Sequence, residues 1–290
     1  MSEYDNIAAK ISETTGNEFV ITGERHAGGG CINDAVVLTG SKASYFVKMN
    51  QAQMLHMFEA EAEGLAEINS AHAIRAPLPV VSGVDGDRSF LVLEYISLGG
   101  TGSAAEFGQK MARMHRHTAS QFGWHRDNTI GSTPQPNQRR DNWIDFWGEQ
   151  RLGYQLDLAA RNGEPLLKTQ AHRLLQNLPR FFSEYSPRPS LLHGDLWGGN
   201  YGYDDCSQPV IYDPAVYYGD READIAMTEL FGGFGAGFYD AYNASYPLDS
   251  GYSERKTLYN LYHILNHFNL FGGGYATQAL GMIQRLSALL

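Results

Sequence analysis

Residues 191–200 read LLHGDLWGGN, and residues 212–215 read YDPA. Asp195 directly follows His-Gly, Asn200 stands five positions further on, and Asp213 closes the short apolar run PVIYD. Each of the three offers a side-chain oxygen. Moving a phosphoryl group to an alcohol needs an acceptor for the hydroxyl proton, and an Asp on a rigid loop supplies one. It also needs oxygen ligands for magnesium, which an Asn amide and an Asp carboxylate provide while nucleotide phosphates complete the octahedron. Asp-x4-Asn followed by a strand ending in Asp is the order of a phosphotransferase catalytic loop. Asp195 is therefore the expected proton acceptor, and Asn200 and Asp213 are the expected magnesium ligands. An Asx-rich turn between strands is the plainer alternative, and the rest of the chain decides between them.

A phosphotransferase also needs a cradle for ATP. Residues 26–34 read HAGGGCIND between two predicted strands, and Gly28, Gly29 and Gly30 let backbone N–H groups approach phosphates. Such a run is weak on its own, because most are hairpin turns. Lys48, in YFVKM on the third predicted strand, strengthens it, since a strand lysine held by a helix glutamate is the usual partner of the α- and β-phosphates. The helix predicted over 51–71 offers Glu59, Glu61, Glu63 and Glu67. With Phe58, Leu65 and Ile68 on the buried face, Glu61 is the inward choice, one turn before Leu65. LVLEYI at 91–96 reads as a hinge strand, with the Glu94 carbonyl and Ile96 amide meeting adenine on either side of Tyr95. Five features in the right order favour a kinase centre over an ordinary turn.

The totals agree. A chain of 290 residues with 43% hydrophobic and 19% charged residues suits one large or two modest packed domains. The net charge of −10 argues against nucleic acid and is compatible with a cationic small substrate. Two cysteines make no disulfide framework, and MSEYDNIAAK has no apolar leader pattern, so a cytoplasmic location with no membrane partner is expected. Before the glycine-rich LGGTG at 98–102 the pattern is five short strands and one long helix; after it, helices dominate. The expected fold is α+β and two-lobed, protein-kinase-like. Its N-lobe (1–97) holds a five-stranded antiparallel sheet with one key helix. Its C-lobe (98–290) is mainly helical, and ATP and magnesium are expected between the two. The segment NTIGSTPQPNQRR, at 128–140, carries two prolines and reads as a loop.

A protein kinase is excluded by HGD in place of HRD, DPA in place of DFG, no APE, and no room for an activation loop before AVYYGDREADIAM. HGDLWGGN, YDPAVYYGDREADIAM, NTIGSTPQPN with DNWIDFWGEQRLGYQL, and the late LFGGGY resemble the fructosamine (ketosamine) kinase family, within the aminoglycoside and choline kinase-like fold group. The resemblance covers nearly the whole chain. It implies ATP-dependent phosphorylation of the third-carbon hydroxyl of sugars attached to amines, which destabilises the adduct and frees the amine. The family commonly has Ser where Gly198 stands, a departure with no functional consequence expected. An aminoglycoside- or amino-alcohol-type phosphotransferase, and an ATP-binding pseudokinase, are the alternatives.

Trp197, beside the catalytic aspartate, is a candidate to stack on the sugar or attract its protonated amine. Asp220 and Asp224 are expected to hold the catalytic loop or to cap the following helix. His115 and His117 lie two apart on a predicted helix and share no face, so with His125 they are read as packing residues. Cys31, inside the glycine loop, is a candidate redox thiol. The expected oligomeric state is a monomer or a dimer linked through that thiol. The partner is a small-molecule or protein-bound ketoamine.

Overall fold

The computed structural model describes residues 3–28 and 33–290. Gly29, Gly30 and Cys31 lie outside the described residues. In chain order the first elements are α1 (Asp5–Thr15), β1 (Ile21–His26), β2 (Asp34–Gly40), β3 (Ser44–Gln51), α2 (Leu55–Ser70), β4 (Pro79–Asp85) and β5 (Arg88–Glu94). Next come α3 (Ala104–Met114), β6 (Asn128–Ile130), β7 (Thr133–Gln135), α4 (Trp143–Trp147), α5 (Tyr154–Arg161) and α6 (Pro165–Gln176). The remainder comprises β8 (Ser190–Leu192), β9 (Tyr201–Tyr203), β10 (Pro209–Ile211), β11 (Tyr217–Gly219), α7 (Glu222–Leu230), α8 (Ala236–Ser245), α9 (Tyr252–Phe271) and α10 (Tyr275–Ser287).

The chain forms two compact units. The first joins residues 1–103 to residues 202–213. Its sheet runs β1-β2-β3-β5-β4, antiparallel throughout. Ser89 to Leu93 are all buried, which is why SFLVL is an unbroken run and not an alternating one. Ile7 and Ile11 of α1 pack with Val36, Leu38, Val47, Met49, Phe90 and Val92. The period-2 pleat sends Lys48 to the opposite face, paired in register with Leu91 and Ala35. This unit also takes in a later stretch of the chain. The β9–β10 hairpin returns to it, because the Ile211 N–H donates to the Arg75 carbonyl at 3.0 Å and the Gly100 N–H to the Tyr203 carbonyl at 3.2 Å.

The second unit joins residues 104–201 to 214–290. Its centre is α9, a 20-residue helix with eleven buried residues. Trp143 and Trp147 pack against Tyr259 of this helix, Trp147 also meets Tyr262, and Phe146 stacks on Trp143. Between α4 and α5 the chain makes a π-turn at Gly148–Gly153, a widening of the kind found where a helix accommodates a special side chain. Arg151 is that side chain, fully buried. Helix α6 stops at Gln176, and Pro179 falls in a short 3-10 turn. The proline-bearing segment after residue 127 is not irregular. It forms the β6–β7 hairpin, with Pro134 opposite Thr129 in a two-stranded ribbon that tolerates a missing N–H.

Candidate active site

Within the first unit, the Lys48 ammonium is gripped by Glu61 Oε1 at 2.5 Å and Asp213 Oδ1 at 2.6 Å. The pleat of β3 aims Lys48 at α2, and Glu61 meets it from the turn before Leu65. Burial works against the lysine's charge, but Asp213 and Glu61 outweigh it and hold the group protonated above its ordinary range. Glu61 is pushed up, chiefly by desolvation, although Lys48 pulls the other way. The contact from Lys48 to Asp213 links residues 165 apart, and nothing local in the sequence announces it. Asp213 has φ 58°, in the left-handed region that Asp tolerates better than most residues. Its side chain is 48% exposed, so the carboxylate is open on the side away from Lys48. Gly28 meets nothing within 4 Å of where a Cβ would stand.

Glu94 ends β5, and its N–H donates to the Leu78 carbonyl at 2.8 Å. Its side chain is not idle: Oε1 accepts from Arg75 Nη2 at 2.6 Å and Oε2 from the Leu78 N–H at 3.2 Å. Arg75 Nη1 reaches Asp204 Oδ2 at 2.5 Å, while Asp204 Oδ1 accepts the Cys206 and Gln208 N–H groups in the β9–β10 turn. Arg75 thus ties the end of β5 to the hairpin that precedes Asp213. Sequence reading missed it, because a lone arginine before Ala-Pro carries no signal. Tyr95 accepts from Arg25 Nη2 at 3.3 Å, and Ile96 is half-buried just beyond the sheet.

In the second unit the catalytic-type loop is held from below by one carboxylate. Asp224 Oδ2 accepts the His193 N–H at 2.7 Å and Oδ1 accepts the Gly194 N–H at 2.8 Å. His115 Nε2 lies 3.1 Å from the same carboxylate, with its Nδ1 2.7 Å from the Tyr242 hydroxyl. Burial tends to raise Asp224, but bonds from His115 and the loop amides carry it below the usual range. Gly194 has φ 83°, and a Cβ there would stand 2.1 Å from the Ala215 carbonyl oxygen. No other residue fits, so the loop reads HGD for a steric reason. Asp195 follows, its N–H donating to His193 Nδ1 at 3.2 Å. Asn200 turns its amide N–H to the Asp195 carbonyl at 2.8 Å and to Oδ2 at 3.1 Å. That orientation spends the nitrogen on the aspartate and leaves the amide oxygen as the atom a cation would take.

Trp197 lies against the loop backbone, where a Cβ on Gly199 would meet its ring at 2.3 Å. It remains 39% exposed, with Phe231 edge-on at 6.2 Å. Gly198, by contrast, has open space where a side chain would go. Asp220 accepts the Glu222 N–H at 3.0 Å at the start of α7, as well as the hydroxyls of Tyr185 and Tyr259. The β6–β7 hairpin clamps the segment after Asp213: Asn128 donates to the Val216 carbonyl and Gln135 to the Ala215 carbonyl. Tyr262 donates in turn to Gln135. The supporting roles of His115, Gln135 and Tyr262 are set by partners 80 or more residues away, beyond the reach of periodicity.

Comparison with known proteins places this arrangement. The family model described as fructosamine kinase matches residues 3–288. A protein from Synechocystis named as a ketoamine kinase is 48% identical over 97% of this chain and 96% of its own. A chloroplastic protein-ribulosamine 3-kinase from Arabidopsis thaliana is 46% identical over 93% and 84%. A crystal structure of a fructosamine-3-kinase homologue from Haemophilus somnus has a TM-score of 0.88 at 31% identity, covering 97% of this chain and 96% of that one. An aminoglycoside phosphotransferase in ternary complex with AMP-PNP and hygromycin B has a TM-score of 0.60 at 12% identity over 98% of both chains, a likeness of fold alone. The chain belongs to the fructosamine kinase family.

Proposed function

We propose that this protein is an ATP-dependent kinase that phosphorylates the 3-hydroxyl of ketoamines, the fructosyl or ribulosyl adducts of amines. The weightiest support is the Asp195–Asn200 pair on a loop held by Asp224, in a chain matched to fructosamine kinase along its length. The Asp195 carboxylate takes the hydroxyl proton as the new O–P bond forms and the bond between the γ-phosphorus and the ADP oxygen breaks. Lys48, fixed by Glu61, holds the nucleotide phosphates, with Gly28 to Gly30 offering backbone N–H groups. Glu94, Tyr95 and Ile96 supply the adenine edge.

Among the described residues no cluster of three or more His, Cys, Asp or Glu can hold a metal unaided. Magnesium bound to nucleotide needs only one or two protein oxygens, and the Asn200 amide oxygen and the Asp213 carboxylate are each donors of that kind. When bound, the ion neutralises charge on the transferring phosphoryl group. Trp197 places an aromatic face beside Asp195, suited to a sugar ring or to the protonated amine. The phosphorylated adduct then releases its amine, a deglycation. No helix among the described residues is long and apolar enough to cross a membrane.

ADP release measured against glycated amines, free sugars and aminoglycosides tests the proposal. The expected result is turnover of the glycated amines with at least tenfold lower kcat/KM for the other two classes. Preferential turnover of aminoglycosides, or of none of the three, overturns it.

A further inference from the structure

The tetrapeptide Leu-Phe-Gly-Gly occurs twice, at 230–233 and 270–273. Each copy ends a helix, α7 or α9, and its glycines take positive φ: 111° and 77° in the first copy, 66° and 66° in the second. A left-handed glycine explains why each helix stops there. It does not explain the phenylalanines, which stay 38% and 55% exposed at Phe231 and Phe271. Both rings contact one residue, His267, at centroid distances of 5.0 and 5.8 Å, and Tyr275 meets the same imidazole at 5.2 Å. At its other edge Phe231 touches Trp197, 6.2 Å away and two positions from Asp195. Ring contacts therefore connect Trp197 to Phe231, Phe231 to His267 and His267 to Phe271 in a continuous row of 6.2, 5.0 and 5.8 Å steps. Burial pushes the His267 imidazole below its usual pKa, so at neutral pH the row carries no charge there.

One sugar ring needs one stacking face, and Trp197 supplies it. The row continues well beyond that. In an extended peptide, side chains on the same side recur about every 7 Å, so two of them span several of these rings. Resting on the ketoamine reading above, we infer that Phe231, His267, Phe271 and Tyr275 form a subsite for the carrier of the sugar. The carrier that fits is a peptide segment with apolar or aromatic residues beside the glycated lysine. Such side chains gain by covering exposed rings, whereas polar neighbours gain nothing. The row thus sets which glycated positions are repaired fastest.

Two peptides test this, each carrying one fructosyl-lysine, one with Leu and Phe two positions either side and the other with Ser there. Wild-type protein is expected to favour the apolar peptide about tenfold in kcat/KM, and Phe271→Ser is expected to bring that preference to within about twofold. No preference in wild type, a preference that survives Phe271→Ser, or a variant equally impaired on both peptides overturns the inference. A change of mass by light scattering in Phe271→Ser, with the preference intact, assigns the face to a second copy of the chain and also overturns it. Wild type active on both peptides without preference sinks this inference alone; wild type inactive on every ketoamine sinks the proposed function with it.

Discussion

Lys48 shows how a single residue can belong to two levels of the chain at once. Its place on β3 follows from pleat and register, and its pairing with Glu61 follows from helical spacing on α2. Four glutamates stood on that helix, and the buried stripe singled out the one that meets the lysine. The contact with Asp213 was not legible, since it depends on how the chain returns through β9 and β10. Replacing one carboxylate in a buried, charge-assisted group leaves the ammonium undercompensated. Glu61→Gln is expected to lower unfolding free energy by about 2–3 kcal/mol and kcat/KM for ATP by about a hundredfold. The exposed Glu63→Gln should stay within about 0.5 kcal/mol of wild type. Equal effects from the two changes, in urea melts and in ATP kinetics, would contradict this account of Lys48.

At the scale of elements, α2 and β5 were readable, α2 from the repeat of its buried apolar face and β5 from a short unbroken apolar run buried on both sides. Elements defined by partners were not. The β6–β7 hairpin escapes local reading because Pro134 suggests a loop, while Asn128 and Gln135 justify the fold only through distant carbonyls. The π-turn around Arg151 is equally hidden: the guanidinium sits 4.0 Å from the Tyr217 ring and donates to Asn137 Oδ1 at 2.7 Å. Helix α9 illustrates the electrostatic side. His263 lies buried within it, and desolvation lowers its pKa from 6.5 to about 3. The folded state therefore keeps the imidazole neutral where the unfolded chain would protonate it. Its stabilising contribution is complete above pH 6.5 and is lost as pH falls toward 3. Over that window wild type should lose about 1.4 kcal/mol per pH unit more than His263→Gln. Parallel stability curves for the two proteins would show that His263 is not held neutral.

Taken whole, the molecule carries its candidate groups on two units whose chain segments interleave. One unit carries Lys48, Glu61 and Asp213, the other Asp195 and Asn200. The type of fold was visible in the change from strands to helices after residue 98, but the return of 202–213 to the sheet unit was not. A short hairpin has no composition of its own to advertise where it packs. The order of the candidate groups along the chain is plain in the sequence, because phosphoryl transfer constrains residue type and spacing within each loop.

The central claim is that Asp195 accepts the proton when a ketoamine hydroxyl attacks ATP. The most direct measurement is the rate of fructosyl-lysine 3-phosphate formation, followed by phosphorus NMR, for wild type and Asp195→Asn at saturating ATP. The expected result is phosphorylated ketoamine from wild type, with kcat at least a hundredfold lower in Asp195→Asn and an unchanged melting temperature. Comparable turnover by the two proteins, or ADP released without any phosphorylated sugar, would contradict the assignment.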